Sequence, residues 1–386
     1  MPYFSFSIKQ NYFDQEDNEA LFSIKNLLPN TAYFSKNTKL WKQLNKKKFL
    51  ASLNFIKFEE RIKVSSIGKK ILFCLPPSIG LGDSIEYGIA FKAIFLSNKF
   101  TKIGIAFSGK YKIIFKKYFD LHNVYGDFLS DLEIKEYDTI FHVSLEVPEL
   151  KNQKYTRSDI GKNLLKRINV NKYILKDKIF TKPISRISIF PISQSPIRSM
   201  NTRIIKKLIN HYKESYTIDI VLDRDSIISE HIDKDINSSK INKIYPGSLL
   251  ELCDLIEKIE FGVFIDSGPL HLAKILNKRG VLVTTSVGSE VLLNDFNSIF
   301  VFKNNYKSAY CKSPCGLTNI FNYKNKIGCY QTLSINKKDL LKENLNSLQR
   351  GSLKEKYIDF MYNPVGCVKN IDLLNLISIM DRALDN

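Results

Sequence analysis

The sequence predicts an α/β protein in which an N-terminal extension precedes two successive doubly wound parallel sheets. Two observations carry this prediction. From Lys70 onward, short apolar runs alternate with segments of helical periodicity, a pattern typical of a parallel sheet covered by helices on both faces. The alternation lapses in a lysine-rich stretch over 146–185 and then restarts. The predicted domains are therefore 1–68, 69–185 and 186–386.

The first half opens with a buried strand in KKILFCLP, which Pro76 and Pro77 end. A loop with two glycines, SIGLGDS, then leads into a helix of apolar periodicity over 85–96. A strand, a helix and a further strand follow in TKIGIAFSG, KYKIIFKKYF and YDTIFHVSL. Strands that alternate with helices in this way indicate a parallel sheet.

The second half repeats this order of strand and helix. Its strands are predicted in RISIFPI, YTIDIVLD, GVFID and GVLVTT. Its helices are predicted in MNTRIIKKLINHY, SLLELCDLIEKI and PLHLAKILN, and an amphipathic helix in KNIDLLNLISIMDRAL closes the chain. The economical interpretation is a second doubly wound sheet.

The extension, residues 1–68, carries no convincing strand pattern, and we expect it to be partly helical. Apolar side chains at helical spacing, with three lysines between them, predict a basic amphipathic helix over 40–58 with Trp41 on its apolar side. Such a helix either packs on the following domain, which we favour, or lies in a membrane interface, where anionic lipid attracts its lysines.

Length and composition exclude several classes of protein. With 386 residues, of which 44% are hydrophobic and 25% charged, the chain is neither collagen-like nor wholly disordered. Its formal net charge of +19 suggests a nucleic acid, an anionic membrane or a phosphate-bearing substrate as a partner. Because the lysines are spread along the chain rather than clustered in one stripe, we expect no nucleic-acid partner and treat much of the charge as compositional background.

Cysteine usage predicts a reducing, cytoplasmic compartment. Six cysteines in so long a chain are not a disulfide framework, the first residues lack a secretory pattern, and no apolar run reaches the roughly 20 residues that span a bilayer.

Cys311, Cys315 and Cys329 are spaced C-x3-C-x13-C, with Cys367 as a fourth candidate ligand for zinc. Plain buried thiols are the favoured interpretation, and a zinc site and a disulfide are the alternatives.

The most informative segment is FGVFIDSGPLHLAKIL, in which a strand ends at Asp266 and a helix follows. Ser267 and Gly268 form the turn, and Pro269 suits the first helical position because its missing N–H costs nothing there. A helix start at the carboxyl edge of a parallel sheet favours a phosphate, and His271, one turn inside, can donate to it. An ordinary N-cap with a packed histidine is the alternative.

Two further groups follow the preceding strands of the second half. SQSPIRSM places Arg198 after the first strand, where a guanidinium can clamp a diphosphate. DRDS follows the second strand and offers Asp225 or Asp223 to hold ribose hydroxyls. A surface arginine and ordinary turn chemistry are the respective alternatives.

In the first half, Gly80 and Gly82 carry no side chain, so a ligand can pass close to the backbone of their loop. We expect Asp83 to begin the following helix, as its N-cap or facing the cleft between the halves, where a carboxylate can act as general base toward a hydroxyl. GLGDSIEYG lacks the full G-x-G-x-x-G pattern, which argues against a dinucleotide site.

These motifs resemble those of the family 9 glycosyltransferases, the ADP-heptose:lipopolysaccharide heptosyltransferases. PGSLLELCDLIEKIEFGVFIDSGPLHLA resembles the donor-site signature of that family, and FPISQSPIRSM is similar to the stretch that opens its C-terminal domain. LPPSIGLGDSIEYG resembles its N-terminal glycine loop. The similarity extends over 70–386 and is strongest over 245–290.

The resemblance implies a GT-B fold, with two Rossmann-like domains facing a cleft, and an inverting sugar transfer that needs no metal and no cofactor. It implies ADP-heptose or a related nucleotide-diphosphate sugar as donor, a cell-surface glycan or lipopolysaccharide-type acceptor, and a cytoplasmic bacterial enzyme, with any membrane contact peripheral at the inner membrane. Asp83 corresponds to the catalytic base. The residues that correspond to the donor site are Asp266, Ser267, Gly268, His271, Arg198 and Asp225.

Two competing functions stay open. A catalytically silent GT-B protein would bind a nucleotide or glycan as a scaffold, and a turnover assay separates it from an enzyme because a scaffold binds without releasing ADP. A nucleic-acid-binding protein would carry its lysines on one face and would show a steep salt dependence of binding.

Overall fold

The computed structural model describes residues 3–8, 12–16, 23–27, 33–35, 45–46, 50–56, 68–75, 79–107, 109–126, 128–143, 160–170, 183–237, 241–293, 296–307, 312–316 and 360–385. The chain divides into two compact units. The first comprises Met1–Glu146 with Asp159–Tyr173, and the second comprises Val147–Ser158 with Ile174–Asn386.

The N-terminal part of the first unit is built from strands. Among the described residues these are β1 (Tyr3–Ile8), β2 (Tyr12–Glu16), β3 (Ser23–Leu27), β4 (Tyr33–Ser35) and β5 (Leu50–Ile56). Strand β1 pairs antiparallel with both β4 and β5, and β2 pairs antiparallel with β3. The expectation that this region lacks strands is therefore wrong.

The helix predicted over 40–58 is wrong for 50–56, which form β5. The segment LASLNFI fits two periods, because its apolar residues also alternate with Ser52 and Asn54, as in a strand. Pairing with β1 along the whole segment selects the strand. The membrane-interface alternative for this helix stays a prediction, and Trp41 lies outside the described residues.

The parallel sheet of the first unit confirms the predicted alternation of strands and helices. Strands β6, β7, β8 and β10 are parallel in the order β10-β6-β7-β8, whereas β9 pairs antiparallel with β4. The elements are β6 (Lys70–Cys74), α1 (Leu81–Leu96), β7 (Lys102–Ala106), α2 (Ile113–Phe119), β8 (Val124–Tyr125), β9 (Phe128–Ser130), α3 (Asp131–Lys135), β10 (Thr139–His142) and α4 (Ile160–Arg167).

Helix α1 lies at the centre of the first unit. It is buried along most of its length because apolar side chains occupy all of its faces rather than one stripe. Gly88 allows the close approach of α2, since a Cβ at this position would lie 2.1 Å from the Phe119 ring. Packing on all sides therefore fixes the helix that carries Asp83.

The second unit contains a six-stranded parallel sheet in the order β13-β12-β11-β14-β15-β16. The predicted strands and helices are all present, and the edge strands β13 and β16 and the helices α6, α9 and α10 add to them. The elements are β11 (Arg186–Phe190), α5 (Thr202–Tyr212), β12 (Thr217–Val221), α6 (Ile227–Asp235), β13 (Ile241–Ile244), α7 (Leu249–Lys258), β14 (Phe261–Phe264), α8 (Gly268–Ile275), β15 (Gly280–Val283), α9 (Ser289–Leu292), β16 (Ile299–Phe302), α10 (Gly366–Lys369) and α11 (Leu373–Asp385).

This strand order has a point of reversal between β11 and β14. The chain first builds the sheet outward from β11 through β12 to β13, and then returns to place β14 on the other side of β11. At such a reversal, the helices after the two strands lie on opposite faces of the sheet, and open α/β sheets bind ligands in the crevice at this carboxyl edge. In the first unit, the corresponding reversal lies between β6 and β10.

An aromatic stack supports this crevice. Phe190 and Phe264 are the last residues of β11 and β14 and lie opposite each other in register, with ring centroids 5.1 Å apart and planes inclined by 16°. The Phe264 ring lies over Gly262 of its own strand, so a Cβ at position 262 would lie 2.1 Å from the ring. Gly262 thus provides the space that the stack needs.

A buried polar network joins three strands of the second unit. Asp219 of β12 is buried and accepts hydrogen bonds from Arg186 Nη1 at 3.0 Å and from Asn242 Nδ2 at 2.9 Å. Arg186 is the first residue of β11, so this ion pair lies at the opposite edge of the sheet from the crevice. Its partners satisfy a carboxylate that would be costly to bury alone.

The closing helix α11 docks on the second unit through polar contacts near its C-terminal end. Tyr212 Oη donates to Asp381 Oδ1 at 2.7 Å, and burial together with this hydrogen bond raises the pKa of Tyr212 above its usual range. Arg279 Nη2 donates to the carbonyl oxygens of Ala383 and Leu384 at 3.2 and 3.3 Å. A cation at a helix C-terminus also opposes the helix dipole favourably.

Within the described ranges, no helix combines the length and the apolar composition needed to cross a bilayer.

Replacement of Gly262 by alanine should destabilise the second unit. Because the added Cβ overlaps the Phe264 ring, the stack or the strand must shift, and overpacking of this kind costs about 1–3 kcal/mol. The free energy of unfolding in urea measures this loss.

Gly247→Ala provides the matched control. Its Cβ would lie at an ordinary 3.5 Å from Glu251 Oε2, so we expect a change within about 0.5 kcal/mol. Equal losses in the two variants would show that the stack does not require Gly262.

Candidate functional site

Arg198 and Asp266, predicted separately from two loops, contact each other at the reversal point of the second sheet. Arg198 Nη1 lies 3.0 Å from Asp266 Oδ2 and donates a hydrogen bond of 3.1 Å to the carbonyl oxygen of Asp266. The Arg198 side chain is 12% exposed and that of Asp266 5%. The arginine is therefore neither a surface residue nor an isolated cation, but half of a nearly buried ion pair.

The loop that carries Arg198 is fixed by its own hydrogen bonds. Ser199 Oγ accepts from the Ser193 N–H at 3.0 Å and donates to the Ser195 carbonyl at 3.0 Å. The Met200 N–H donates to the carbonyl of Pro191 at 2.8 Å, and the Met200 side chain is buried in the core. These contacts fix the backbone on both sides of Arg198. Ser195 Oγ is buried, with no hydrogen-bond partner in the described part of the chain.

The start of helix α8 lies directly after Asp266. Ser267 is the N-cap, Gly268 the first helical residue and Pro269 the second, one position later than predicted. The Ser267 hydroxyl donates to the carbonyl of Ile265 at 3.4 Å and makes no capping hydrogen bond. The ordinary serine cap that the sequence offered as an alternative is therefore not formed, and the helix start lacks a side-chain acceptor from Ser267.

His271 lies one turn into α8, as predicted, but it is only 4% exposed. Its burial agrees with the alternative of a packed histidine. Only its position in the sequence, one turn after the helix start, places it near a bound phosphate. A role on a ligand phosphate stays a prediction.

The loop after β12 supports one of the two predicted acidic residues over the other. Asp223 Oδ1 accepts from the Asp225 N–H at 3.0 Å, which is ordinary turn chemistry. Asp225 itself is exposed at the carboxyl edge, two strands from β14. Asp225 is thus the candidate for a ribose contact.

A flat cationic and aromatic surface, which the sequence did not single out, lies beside Asp225. The guanidinium of Arg224 covers the ring of Tyr245, which follows β13, at 5.8 Å from the centroid. Partial burial and a hydrogen bond to Asp233 raise the pKa of Tyr245 to about 12. No single motif indicated this contact, because it joins two loops that only the sheet order brings together.

In the first unit, the glycine loop leads into α1 at the reversal point of its own sheet. Helix α1 begins at Leu81 with Gly80 as its N-cap, so Gly82 lies in its first turn and Asp83 is its third residue. The expectation that Asp83 begins the helix as N-cap is therefore wrong. The helix starts earlier because the Asp83 carboxylate reaches back and accepts from the Gly80 N–H at 3.3 Å.

Among the described residues, nothing requires glycine at position 80 for steric reasons. A Cβ there would lie 3.7 Å from Asp83 Oδ2, an ordinary contact, and the backbone is extended rather than left-handed. A second carboxylate that the sequence did not single out, Glu86, is one turn farther along α1 and is 9% exposed.

Two of the four cysteines considered as zinc ligands lie within the described residues. Cys311 and Cys329 lie outside the described residues, whereas Cys315 is half-buried and Cys367 is buried. Among the residues that the structure describes, no three His, Cys, Asp or Glu side chains converge to hold a metal ion.

Comparison with known proteins identifies the fold. No family model matches the sequence, and no curated protein matches it either. A family 9 glycosyl transferase from Veillonella parvula DSM 2008 is 11% identical, with a TM-score of 0.50 over 83% of this chain and 98% of that protein. The likeness shows that this chain has the α/β fold of that protein, as the sequence motifs predicted.

Two further solved structures were found. The iron-containing dodecameric glycosyltransferase TibC from enterotoxigenic E. coli H10407 is 12% identical, with a TM-score of 0.46 over 100% of this chain and 92% of TibC. The E. coli heptosyltransferase WaaC, solved with ADP-2-deoxy-2-fluoro heptose, is 10% identical, with a TM-score of 0.43 over 60% of this chain and 93% of WaaC.

Replacement of Arg198 by alanine should destabilise the second unit. The Asp266 carboxylate would stay buried without its cation, and we expect a loss of up to about 3 kcal/mol, the lower end of what removing one partner of a buried pair costs. Urea unfolding measures the loss.

Arg203→Ala is the control, because Arg203 is exposed on α5. Its removal should change the free energy of unfolding by less than about 0.5 kcal/mol. An Arg198→Ala protein as stable as Arg203→Ala would contradict a structural contribution of the pair.

Proposed function

We propose that the protein is an inverting glycosyltransferase that moves a sugar of the heptose type from a nucleotide-diphosphate donor such as ADP-heptose to a glycan or lipopolysaccharide-type acceptor. The observation that carries the proposal is the cluster at the reversal point of the second sheet. There, Arg198 and the start of α8 meet at the carboxyl edge of a Rossmann-ordered sheet. A cation beside a helix start is a site for a diphosphate.

The donor would be held by groups that follow neighbouring strands. Arg198, after β11, would contact the diphosphate, and the turn that follows Asp266, formed by Ser267 and Gly268, would lie against the phosphate and the sugar. Asp225, after β12, would accept hydrogen bonds from the ribose hydroxyls. The pair of Arg224, after β12, and Tyr245, after β13, suits the base, because a planar cation and an aromatic ring both stack on heterocycles. The order of strands thus matches the order of groups along a nucleotide-diphosphate sugar.

The reaction would be a direct displacement. The acceptor hydroxyl oxygen forms a bond to the anomeric carbon as the bond from that carbon to the diphosphate oxygen breaks, and ADP leaves with the bonding electron pair. Attack from the face opposite the leaving group inverts the configuration. Arg198 and the helix start would stabilise the charge that develops on the diphosphate. The proton of the hydroxyl passes to a general base.

Asp83 is the proposed base. It follows the glycine loop of the first unit, its carboxylate is held by the Gly80 N–H, and it is partly exposed rather than buried. None of the described residues requires glycine at position 80, and the close approach of a ligand to the backbone would explain it.

Replacement of Asp83 by asparagine should lower turnover by about 10²–10⁴-fold, the usual contribution of a general base. ADP release from ADP-heptose, with lipopolysaccharide core oligosaccharide as acceptor, measures turnover. ADP affinity, measured by calorimetry, should stay at the wild-type value because the proposed donor site lies in the second unit.

Glu86→Gln is the comparison variant, because it removes the other carboxylate of the same helix. It should retain turnover near the wild-type rate. Full loss in Glu86→Gln with activity retained in Asp83→Asn would assign the base to Glu86 instead. A wild-type protein that binds ADP but never releases it from ADP-heptose would be the catalytically silent scaffold.

A further inference from the structure

We infer that Asp266 is a positioning residue, which acts on the donor through Arg198 rather than by contacting the sugar. The inference rests on the proposed function, since it assigns a task to one residue of the proposed donor site. It follows from how the two side chains are held.

Asp266 has little surface to offer to a ligand. Only 5% of its side chain is exposed, and Oδ2 lies 3.0 Å from Arg198 Nη1. The carbonyl oxygen of the same residue accepts a second contact from Nη1 at 3.1 Å. One hydrogen bond to the main-chain carbonyl and one ion-pair contact to the carboxylate therefore hold the same nitrogen of the guanidinium, which fixes the position of that end of the group.

The other end of Arg198 is also fixed. The Arg198 N–H donates to the Ser195 carbonyl at 3.0 Å, and Ser199 Oγ joins Ser193 to Ser195 across the same turn. A guanidinium is planar and presents its N–H groups in a rigid fork, so fixing one terminal nitrogen directs the rest of the fork. Asp266 thereby sets which edge of Arg198 meets a phosphate.

The effect of neutralising Asp266 on phosphate binding distinguishes a positioning role from two other roles. A carboxylate beside a diphosphate repels it, so if Asp266 acted only through its charge, neutralising it would strengthen phosphate binding. If Asp266 orients Arg198, neutralising it leaves Nη1 with the main-chain carbonyl contact alone, which loosens the guanidinium and weakens phosphate binding. If Asp266 contacts the sugar, its loss affects the sugar nucleotide and leaves ADP unchanged. The three roles thus predict opposite or separate effects.

The experiment measures the dissociation constants of ADP, AMP and ADP-heptose by calorimetry for the full-length wild type and Asp266→Asn. We expect ADP and ADP-heptose to weaken together by about tenfold or more, the loss of a well-placed hydrogen bond to a charged group. AMP, which lacks the second phosphate, should change by less than about twofold because its remaining contacts are elsewhere.

Asp219→Asn is the matched control. It neutralises another buried, arginine-paired aspartate of the same sheet, at the edge away from the crevice. It should leave ADP affinity within about twofold of the wild type, as expected for distant sites. An equal loss of ADP affinity in both variants would reduce the effect to general destabilisation and overturn the inference.

A double-mutant cycle tests the route through Arg198. In an Arg198→Ala background, Asp266→Asn should change ADP affinity by less than about twofold, because the group that it positions is already gone. Full additivity, an unchanged or tighter ADP complex in Asp266→Asn, or a loss confined to ADP-heptose would each overturn the inference while the proposed function stands. A wild type that binds no ADP would overturn both.

Discussion

The ion pair between Arg198 and Asp266 is the contact on which the second unit's candidate site depends. It joins the loops that follow β11 and β14, 68 residues apart in sequence, at the point where the strand order reverses. An unpaired carboxylate or guanidinium in so buried a place would be costly, so the pair holds the two loops together. The stacked rings of Phe190 and Phe264 support the strand ends directly beneath it. The same contact that stabilises the crevice therefore also fixes a cation at its mouth.

Much of the fold could be predicted because parallel strands buried on both faces appear as continuous apolar runs. FGVF and GVLV are such runs, and both form the strands expected of them. The segment LASLNFI was assigned wrongly because it satisfies both the helical and the strand periods, and only pairing with β1 separates them. Strand β13, with Asn242 and Lys243 at an exposed edge, lacks the apolar run that would have marked it.

The residues of the candidate site could be selected from the sequence, but their contacts could not. The sequence predicts that Arg198 and Asp266 each contact a ligand, because a sequence does not show that the two side chains also pair with each other. The predicted start of α1 is wrong for a similar reason. The Asp83 carboxylate accepts a hydrogen bond from the Gly80 N–H, and Gly80 rather than Asp83 is the N-cap. Arg224 and Tyr245 meet only because β12 and β13 are neighbours in the sheet. Local chemistry is visible in sequence, whereas contacts between loops depend on topology.

The central claim is that the reversal point of the second sheet binds the diphosphate of a nucleotide sugar. A crystal structure of the protein soaked with ADP tests it most directly. We expect phosphate oxygens within about 3 Å of the Arg198 guanidinium and of main-chain N–H groups at the start of α8. Diphosphate density at any other place, with this crevice empty, would contradict it.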